Sequence, residues 1–110
     1  MADFETVLRT PDLGPGAIVP VHAHGRDMAV ANVGQTYYAL EATCPIDGTN
    51  LARDGRLVGD FLICPNDDAR FDVRTGARVD GREALRAHSV RVEGNEVRVG
   101  PPRNTRDGDL

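Results

Sequence analysis

The alternation of residues 89–100 constrains the fold more than any other feature of this sequence. The segment reads SVRVEGNEVRVG, in which four valines alternate with charged or polar side chains on either side of Gly94-Asn95. A period of two on both sides of a turn pair predicts two antiparallel strands joined by a tight turn. The sequence therefore predicts a β protein that contains at least this hairpin.

Shorter runs of the same kind occupy most of the chain. These runs are at residues 4–8, 17–24, 27–33, 36–42, 61–65 and 70–73, and Gly or Pro turns separate them. Pro20 predicts an edge position for its strand, because proline cannot donate a hydrogen bond to a neighbouring strand. Strands at this spacing predict an all-β fold, a small antiparallel sandwich or barrel. We expect one domain at residues 1–100, followed by a flexible tail at 101–110.

The charge balance limits the class of partner. The 110 residues include 13 basic and 17 acidic side chains, which gives a formal net charge of −4. Nucleic acid and anionic membranes require a basic face, so we expect neither as a partner. Residues 1–16 lack the apolar run of a signal peptide, and no segment has the length needed to span a bilayer. We therefore expect a cytoplasmic protein.

Two Cys-Pro segments stand apart from the predicted strands. Cys44-Pro45 begins CPIDGTNL, and Cys64-Pro65 begins CPNDDARFD. In a reducing compartment, two cysteines are more often ligands or redox thiols than a structural disulfide. The sequence contains no Ser-His-Asp set, Gly-rich phosphate loop or nucleotide motif, so we expect a protein that is not itself an enzyme.

These segments and their flanks resemble the Rieske ferredoxins, small β domains in which two Cys-Pro loops hold a [2Fe–2S] cluster. The family pattern is Cys-Pro-His-x-Gly and x-x-Leu in the first loop. The second loop has Cys-Pro-x-His-Gly-x-x-Phe-Asp and x-x-Thr-Gly. The chain keeps both frames at Cys44, Pro45, Gly48, Leu51, Cys64, Pro65, Phe71, Asp72, Thr75 and Gly76. The resemblance implies a Rieske-type β-sandwich or barrel with both loops at one tip.

The chain departs from the family pattern at both histidines. Ile46 and Asp67 stand in their places, and Asp68 replaces the glycine after the second histidine. A Rieske centre places two thiolates on one iron and two imidazoles on the other. Because Ile46 has no donor atom, we expect that a standard cluster is not bound.

One interpretation of this altered site is a cluster-free docking module. Such a module resembles the small subunit of assimilatory nitrite reductases, a member of the same superfamily that lacks cluster ligands. The module would bind an oxygenase- or reductase-type protein through its loop tip, which consists of Ile46, Asp47, Asn66, Asp67 and Asp68.

Two further interpretations concern the cysteines. In one, an iron–sulfur or mononuclear metal centre of altered ligation is bound by Cys44, Cys64 and Asp67, with Asp47 as a further ligand if its loop shifts. In the other, no metal is bound, and the thiols act in thiol chemistry or form a Cys44–Cys64 disulfide, since the parent geometry places them close together.

The three histidines provide no obvious replacement ligands. His22 and His24 form an H-x-H pair, a spacing that can chelate metal on one face of a strand. The resemblance puts this strand in the base of the domain, away from both loops, so we expect a surface strand end. His88 stands alone near the start of a strand, and we expect a structural role.

Overall fold

The protein is nearly all β. The computed structural model describes residues 4–66, 68–79 and 81–103. Its strands are β1 (Glu5–Arg9), β2 (Ile18–Ala23), β3 (Arg26–Val33), β4 (Thr36–Glu41), β5 (Arg56–Val58), β6 (Phe61–Ile63), β7 (Arg70–Asp72), β8 (Ala87–Glu93) and β9 (Glu96–Pro102). A 3-10 turn at Thr10–Asp12 follows β1, and one helical turn, α1 (Leu51–Asp54), precedes β5. The all-β prediction is confirmed.

Six strands form one antiparallel sheet in the order β1-β9-β8-β4-β3-β2. The sheet curls into a nearly closed barrel. At the seam, the backbone N–H of His24 donates to the Glu5 carboxylate of β1 at 3.0 Å. β8 and β9 form the predicted hairpin with its turn at Gly94-Asn95. Pro20 lies in β2 at one end of the strand order, which confirms its edge position.

The other three strands form a small antiparallel sheet, β5-β6-β7. The second Cys-Pro loop connects β6 to β7, and the first lies between β4 and α1. Leu62 and Phe71 are paired across this sheet and fully buried, and they pack in one cluster with Leu40 and Leu51. Both cysteines belong to the same cluster. The two loops therefore rest on a hydrophobic core between the sheets.

The helical turn α1 fixes the exit of the first loop. The Asn50 side-chain oxygen accepts from the N–H groups of Ala52 at 3.0 Å and Arg53 at 3.2 Å, which satisfies two donors at the start of the helix. Leu51 anchors the turn in the core, and the Gly55 N–H donates to the Leu51 carbonyl. Neither α1 nor β5 is predicted by the sequence pattern.

The predicted tail begins inside a strand. β9 includes Pro101 and Pro102, while residues 104–110 lie outside the described part of the chain. The division into a domain at 1–100 and a tail at 101–110 stays a prediction. Within the described ranges, the structure has no helix with the length and apolar character of a membrane span.

Candidate functional site

The two Cys-Pro loops share one backbone hydrogen-bond pattern. In each, the N–H of the cysteine donates to the carbonyl five residues later, at 2.8 Å for Cys44 and 2.9 Å for Cys64. The carbonyl of each cysteine accepts from the N–H four residues later, at 2.9 Å from Gly48 and 3.0 Å from Asp68. Gly48 and Asp68 both have a positive φ, of 80° and 60°. The loops are two copies of one turn, and the second places an aspartate where the first has a glycine.

Three side chains converge between the loops. The sulfurs of Cys44 and Cys64 and a carboxylate oxygen of Asp47 lie within 4.8 Å of one another. Asp47 Oδ2 lies 3.6 Å from Cys64 Sγ, and Oδ1 lies 3.9 Å from it. Both cysteines are buried, whereas Asp47 is exposed, so the group opens to solvent on its carboxylate side. Two thiolates and a carboxylate are a suitable donor set for a borderline-soft divalent metal.

Hydrogen bonds from both loops hold Asp47 in place. Its Oδ1 accepts from the Thr49 N–H at 3.0 Å, an Asx turn within the first loop. Its Oδ2 accepts from the Asn66 amide at 3.0 Å, and this amide also donates to Thr49 Oγ1 at 2.8 Å. The Thr49 N–H, followed by the Thr49 hydroxyl and the Asn66 amide, lowers the pKa of Asp47 below the usual range of aspartate. The carboxylate therefore stays ionised well below neutral pH.

The structure brings together three of the four predicted ligands. Cys44, Cys64 and Asp47 form the group, and Asp47 already faces the sulfurs. Asp67 lies outside the described residues. Sequence reasoning gave Asn66 only a docking role and missed its hydrogen bond to Asp47. The available signal was its place two residues after Cys64, which matches that of Ile46 after Cys44.

Three other predicted tip residues, Ile46, Asn66 and Asp68, lie in the same two loops. Ile46 is 41% exposed, and Asn66 and Asp68 are also exposed. In the part of the chain that the structure describes, neither Asp47 nor Asp68 forms an ion pair with a basic side chain. The tip therefore presents one apolar side chain beside carboxylates that have no cationic partner within the described chain.

The H-x-H pair does not form a chelating site. His22 Nδ1 lies 3.2 Å from the Asp27 carboxylate, whereas His24 Nε2 donates to the Val99 carbonyl at 2.8 Å. His22 also lines a small groove with Arg53 of α1, just after the first loop. His22 therefore lies near α1, and both imidazoles are directed at other groups.

His88 is buried and hydrogen-bonded on both sides of its ring. Its Nδ1 donates to the Gly100 carbonyl at 2.7 Å, and its Nε2 lies 2.9 Å from the Glu41 carboxylate. These contacts link β4, β8 and β9, as expected of a structural residue. Among the described residues, the ligand group therefore contains no histidine.

Comparisons with known proteins agree with this fold. The sequence model of the Rieske [2Fe-2S] domain family matches residues 3–97. The biphenyl 2,3-dioxygenase ferredoxin component of Rhodococcus jostii (strain RHA1) is 32% identical over 90 residues, which cover 80% of this chain and 83% of the relative. A chain in the complex of reduced oxygenase and oxidized ferredoxin of carbazole 1,9a-dioxygenase superimposes with a TM-score of 0.80 at 33% identity. That match covers 87% of this chain and 91% of the other.

A more distant likeness concerns the fold alone. A Mycobacterium tuberculosis chain described as an NADH-dependent nitrite reductase small subunit superimposes with a TM-score of 0.82 at 20% identity, covering 92% of this chain and 96% of that one. The curated relatives are named as ferredoxin subunits or components, in agreement with the prediction that this chain is not itself an enzyme. The family match over residues 3–97 and the shared architecture together establish that the chain belongs to the Rieske [2Fe-2S] domain family.

Proposed function

We propose that this chain is a ferredoxin-like accessory component that docks through its loop tip to an oxygenase- or reductase-type protein. The single observation that carries the proposal is the exposed Ile46 in loops that also carry the exposed carboxylates of Asp47 and Asp68, neither of which forms an ion pair with a described basic residue. An exposed apolar side chain with a charged rim suits a protein contact. The relatives support the class of partner, since they are named as ferredoxin components of dioxygenase systems and one is in a complex with its oxygenase.

The same proposal includes the loss of the standard cluster. That cluster needs two imidazoles on its second iron. Ile46 offers no donor atom, and His22, His24 and His88 all make hydrogen bonds elsewhere. The described residues thus fit the thiolate half of the cluster and do not fit the imidazole half. We also propose a cytoplasmic location, where thiols remain reduced.

Metal analysis of the isolated protein tests the loss of the cluster. The chain is purified without oxygen, and its visible spectrum, iron and acid-labile sulfide are measured. We expect a colourless protein with far less than one iron per chain. A brown protein with about two irons and two sulfides per chain would overturn the proposed loss.

A pair of matched variants tests the docking surface. Ile46→Glu places a charge at the tip, whereas Val92→Glu alters a side chain of similar exposure, 44%, beside the Gly94-Asn95 turn of the β8–β9 hairpin. Tagged parent and variants are used to recover oxygenase and reductase components from an extract of the source organism, quantified by mass spectrometry. Ile46→Glu should reduce recovery by about tenfold or more, as at an interface hot spot. Val92→Glu should match the parent.

The docking proposal fails if Ile46→Glu recovers every oxygenase and reductase component as well as the parent does. It also fails if Val92→Glu causes the same loss, since the effect would then not belong to the tip.

A second function is favoured by the convergence of Cys44, Cys64 and Asp47. An iron–sulfur or other metal centre on these residues, with Asp67 as a further ligand, would make the chain an electron carrier. A carboxylate stabilises oxidised iron more than a neutral imidazole does, so the potential should fall below the roughly −150 to +300 mV of Rieske centres. A reversible couple within that range would exclude a carboxylate as the replacement ligand.

A disulfide is the remaining alternative for the cysteines. The sulfurs of Cys44 and Cys64, within 4.8 Å of each other, would have to approach to about 2.05 Å to form the bond. Thiol titration of the denatured, unreduced protein distinguishes the two forms, because the bridged form would show no reactive thiol.

A further inference from the structure

We infer that Cys44, Cys64 and Asp47 bind a single tetrahedral divalent metal ion, Zn²⁺, which joins the two loops of the docking tip. The inference rests on the proposed function, because it requires that the standard cluster does not occupy the loops. It goes beyond that function by giving the tip a ligand of its own.

The distances between the donor atoms fit such an ion. With zinc–sulfur bonds of about 2.3 Å and zinc–oxygen bonds of about 2.0–2.2 Å, tetrahedral angles separate two sulfurs by about 3.8 Å, and a sulfur and an oxygen by about 3.6 Å. Cys64 Sγ and Asp47 Oδ2 lie 3.6 Å apart. All three donors lie within 4.8 Å of one another, so the other separations need to shorten by at most about 1.2 Å.

The surroundings suit two thiolates and one open position. The cysteines project from a core that includes Leu51, Leu62 and Phe71, which shields their sulfurs from bulk water. The carboxylate of Asp47 lies on the exposed side. A zinc site with three protein ligands keeps a fourth position for water or another ligand, and here that position faces the surface that would meet a partner.

The ligands have the outer-shell hydrogen bonds expected at a metal site. Asp47 accepts from the Thr49 N–H of its own loop and from the Asn66 amide of the other loop. The backbone groups of both cysteines are hydrogen-bonded within their loops. The ligand set is therefore oriented before the ion arrives. Loss of one outer-shell partner typically costs about 10- to 100-fold in metal affinity.

The donor set also limits which ion is bound. Magnesium and calcium prefer oxygen ligands, and the two sulfurs disfavour them. The described group supplies three donors, enough for one ion with an open position and too few for two irons with two ligands each. A mononuclear zinc ion satisfies both conditions.

Cobalt substitution tests the site with a visible signal. The metal-free, reduced protein is titrated with Co²⁺ and then with Zn²⁺. We expect one equivalent of Co²⁺ to produce the strong visible absorption of a tetrahedral ion together with thiolate-to-cobalt charge transfer. One equivalent of Zn²⁺ should remove both signals.

Two ligand variants and one control test the assignment of Asp47 and Cys64. Asp47→Asn should weaken Zn²⁺ binding by more than about tenfold in competition with a chromophoric chelator, since even outer-shell losses reach that size. Cys64→Ser should diminish the charge-transfer absorption. Asp68→Asn is the matched control, because it removes an exposed carboxylate of the same tip and asparagine adopts the positive φ of 60° found there. Its Zn²⁺ affinity should stay within about twofold of the parent.

Failure of this inference can be separated from failure of the proposed function. A parent protein that is colourless as isolated, yet gives no thiolate–Co²⁺ spectrum, overturns the zinc site alone. Asp47→Asn with parent affinity and a native circular dichroism spectrum overturns Asp47 as a ligand. A brown protein with about two irons and two sulfides overturns the cluster-free form, and the zinc site with it.

Discussion

Gly55→Ala should destabilise the protein, because the connection between the two loops has no space for a methyl group. Gly55 follows α1 and directly precedes β5. A Cβ at this position would lie 2.6 Å from the Leu51 carbonyl oxygen, 3.1 Å from the Ile63 carbonyl oxygen and 3.2 Å from Leu62 Cδ1. Two of these three atoms belong to the backbone, so rotation of a side chain cannot relieve the overlap.

The size of the effect follows from these distances. An ordinary contact begins at 3.4 Å, so the Cβ of Gly55→Ala and the Leu51 oxygen must separate by about 0.8 Å. Overpacking of this kind costs about 1–3 kcal/mol. The substitution also restricts the unfolded chain, which offsets about 0.4–1 kcal/mol of that cost. We expect a net loss of about 1–2 kcal/mol in the free energy of unfolding, or about 5–15 °C in Tm.

Urea and thermal unfolding, followed by circular dichroism, measure this loss. Gly14→Ala is the matched control, because no atom lies within 4 Å of its Cβ and its φ is outside the left-handed region. The control should match the parent or exceed its stability by up to about 1 kcal/mol. A Gly55→Ala protein as stable as the parent would refute the reasoning, as would an equal loss in Gly14→Ala.

Three further substitutions test other contacts by the same unfolding assays. Asn50→Ala removes the cap of α1 and should cost about 1 kcal/mol, and an unchanged urea midpoint would contradict the role of the cap. Hydrogen bonds from Arg74 lower the pKa of Asp72 in the folded protein. The carboxylate therefore stabilises the fold at pH values above the usual pKa of aspartate, and this contribution is lost as pH falls through the lowered folded-state pKa. Asp72→Asn should therefore be less stable than the parent at neutral pH and equally stable in strong acid, whereas a pH-independent difference would oppose this linkage. Asn32→Leu leaves the Leu13 carbonyl and the Gln35 N–H without their hydrogen-bond partners at 2.9 Å, and it should cost about 1–3 kcal/mol or more in the free energy of unfolding. An Asn32→Leu protein as stable as the parent would contradict this.

Local pattern predicts part of the architecture, and the family resemblance predicts where the two loops meet. The β8–β9 hairpin follows from strict alternation around Gly94-Asn95, and the edge position of β2 follows from Pro20. The meeting of Cys44 and Cys64 at one tip follows from the resemblance between the loops and a known family. These features depend on residues close together in the sequence or on a pattern that covers nearly the whole chain.

The features that were not predicted are either very short elements or contacts between residues far apart in the sequence. β5 has three residues and α1 has four, so neither shows a period that sequence reasoning can detect. The direction of Asp47 depends on Asn66, which is distant in sequence and becomes a neighbour only when the small sheet forms. Apart from the matching positions of Asn66 and Ile46 in their loops, the sequence does not indicate that an amide from the other loop would hold Asp47.

The Asn66 side chain makes the two loops open together. Its amide donates to both Asp47 and Thr49, so the second loop cannot move away from the first without breaking both hydrogen bonds. We expect the protected amide hydrogens of Gly48 and Asp68 to exchange with one shared opening free energy, and Asn66→Ala to separate their rates. A partner that binds only one loop would then also change how often the other loop opens.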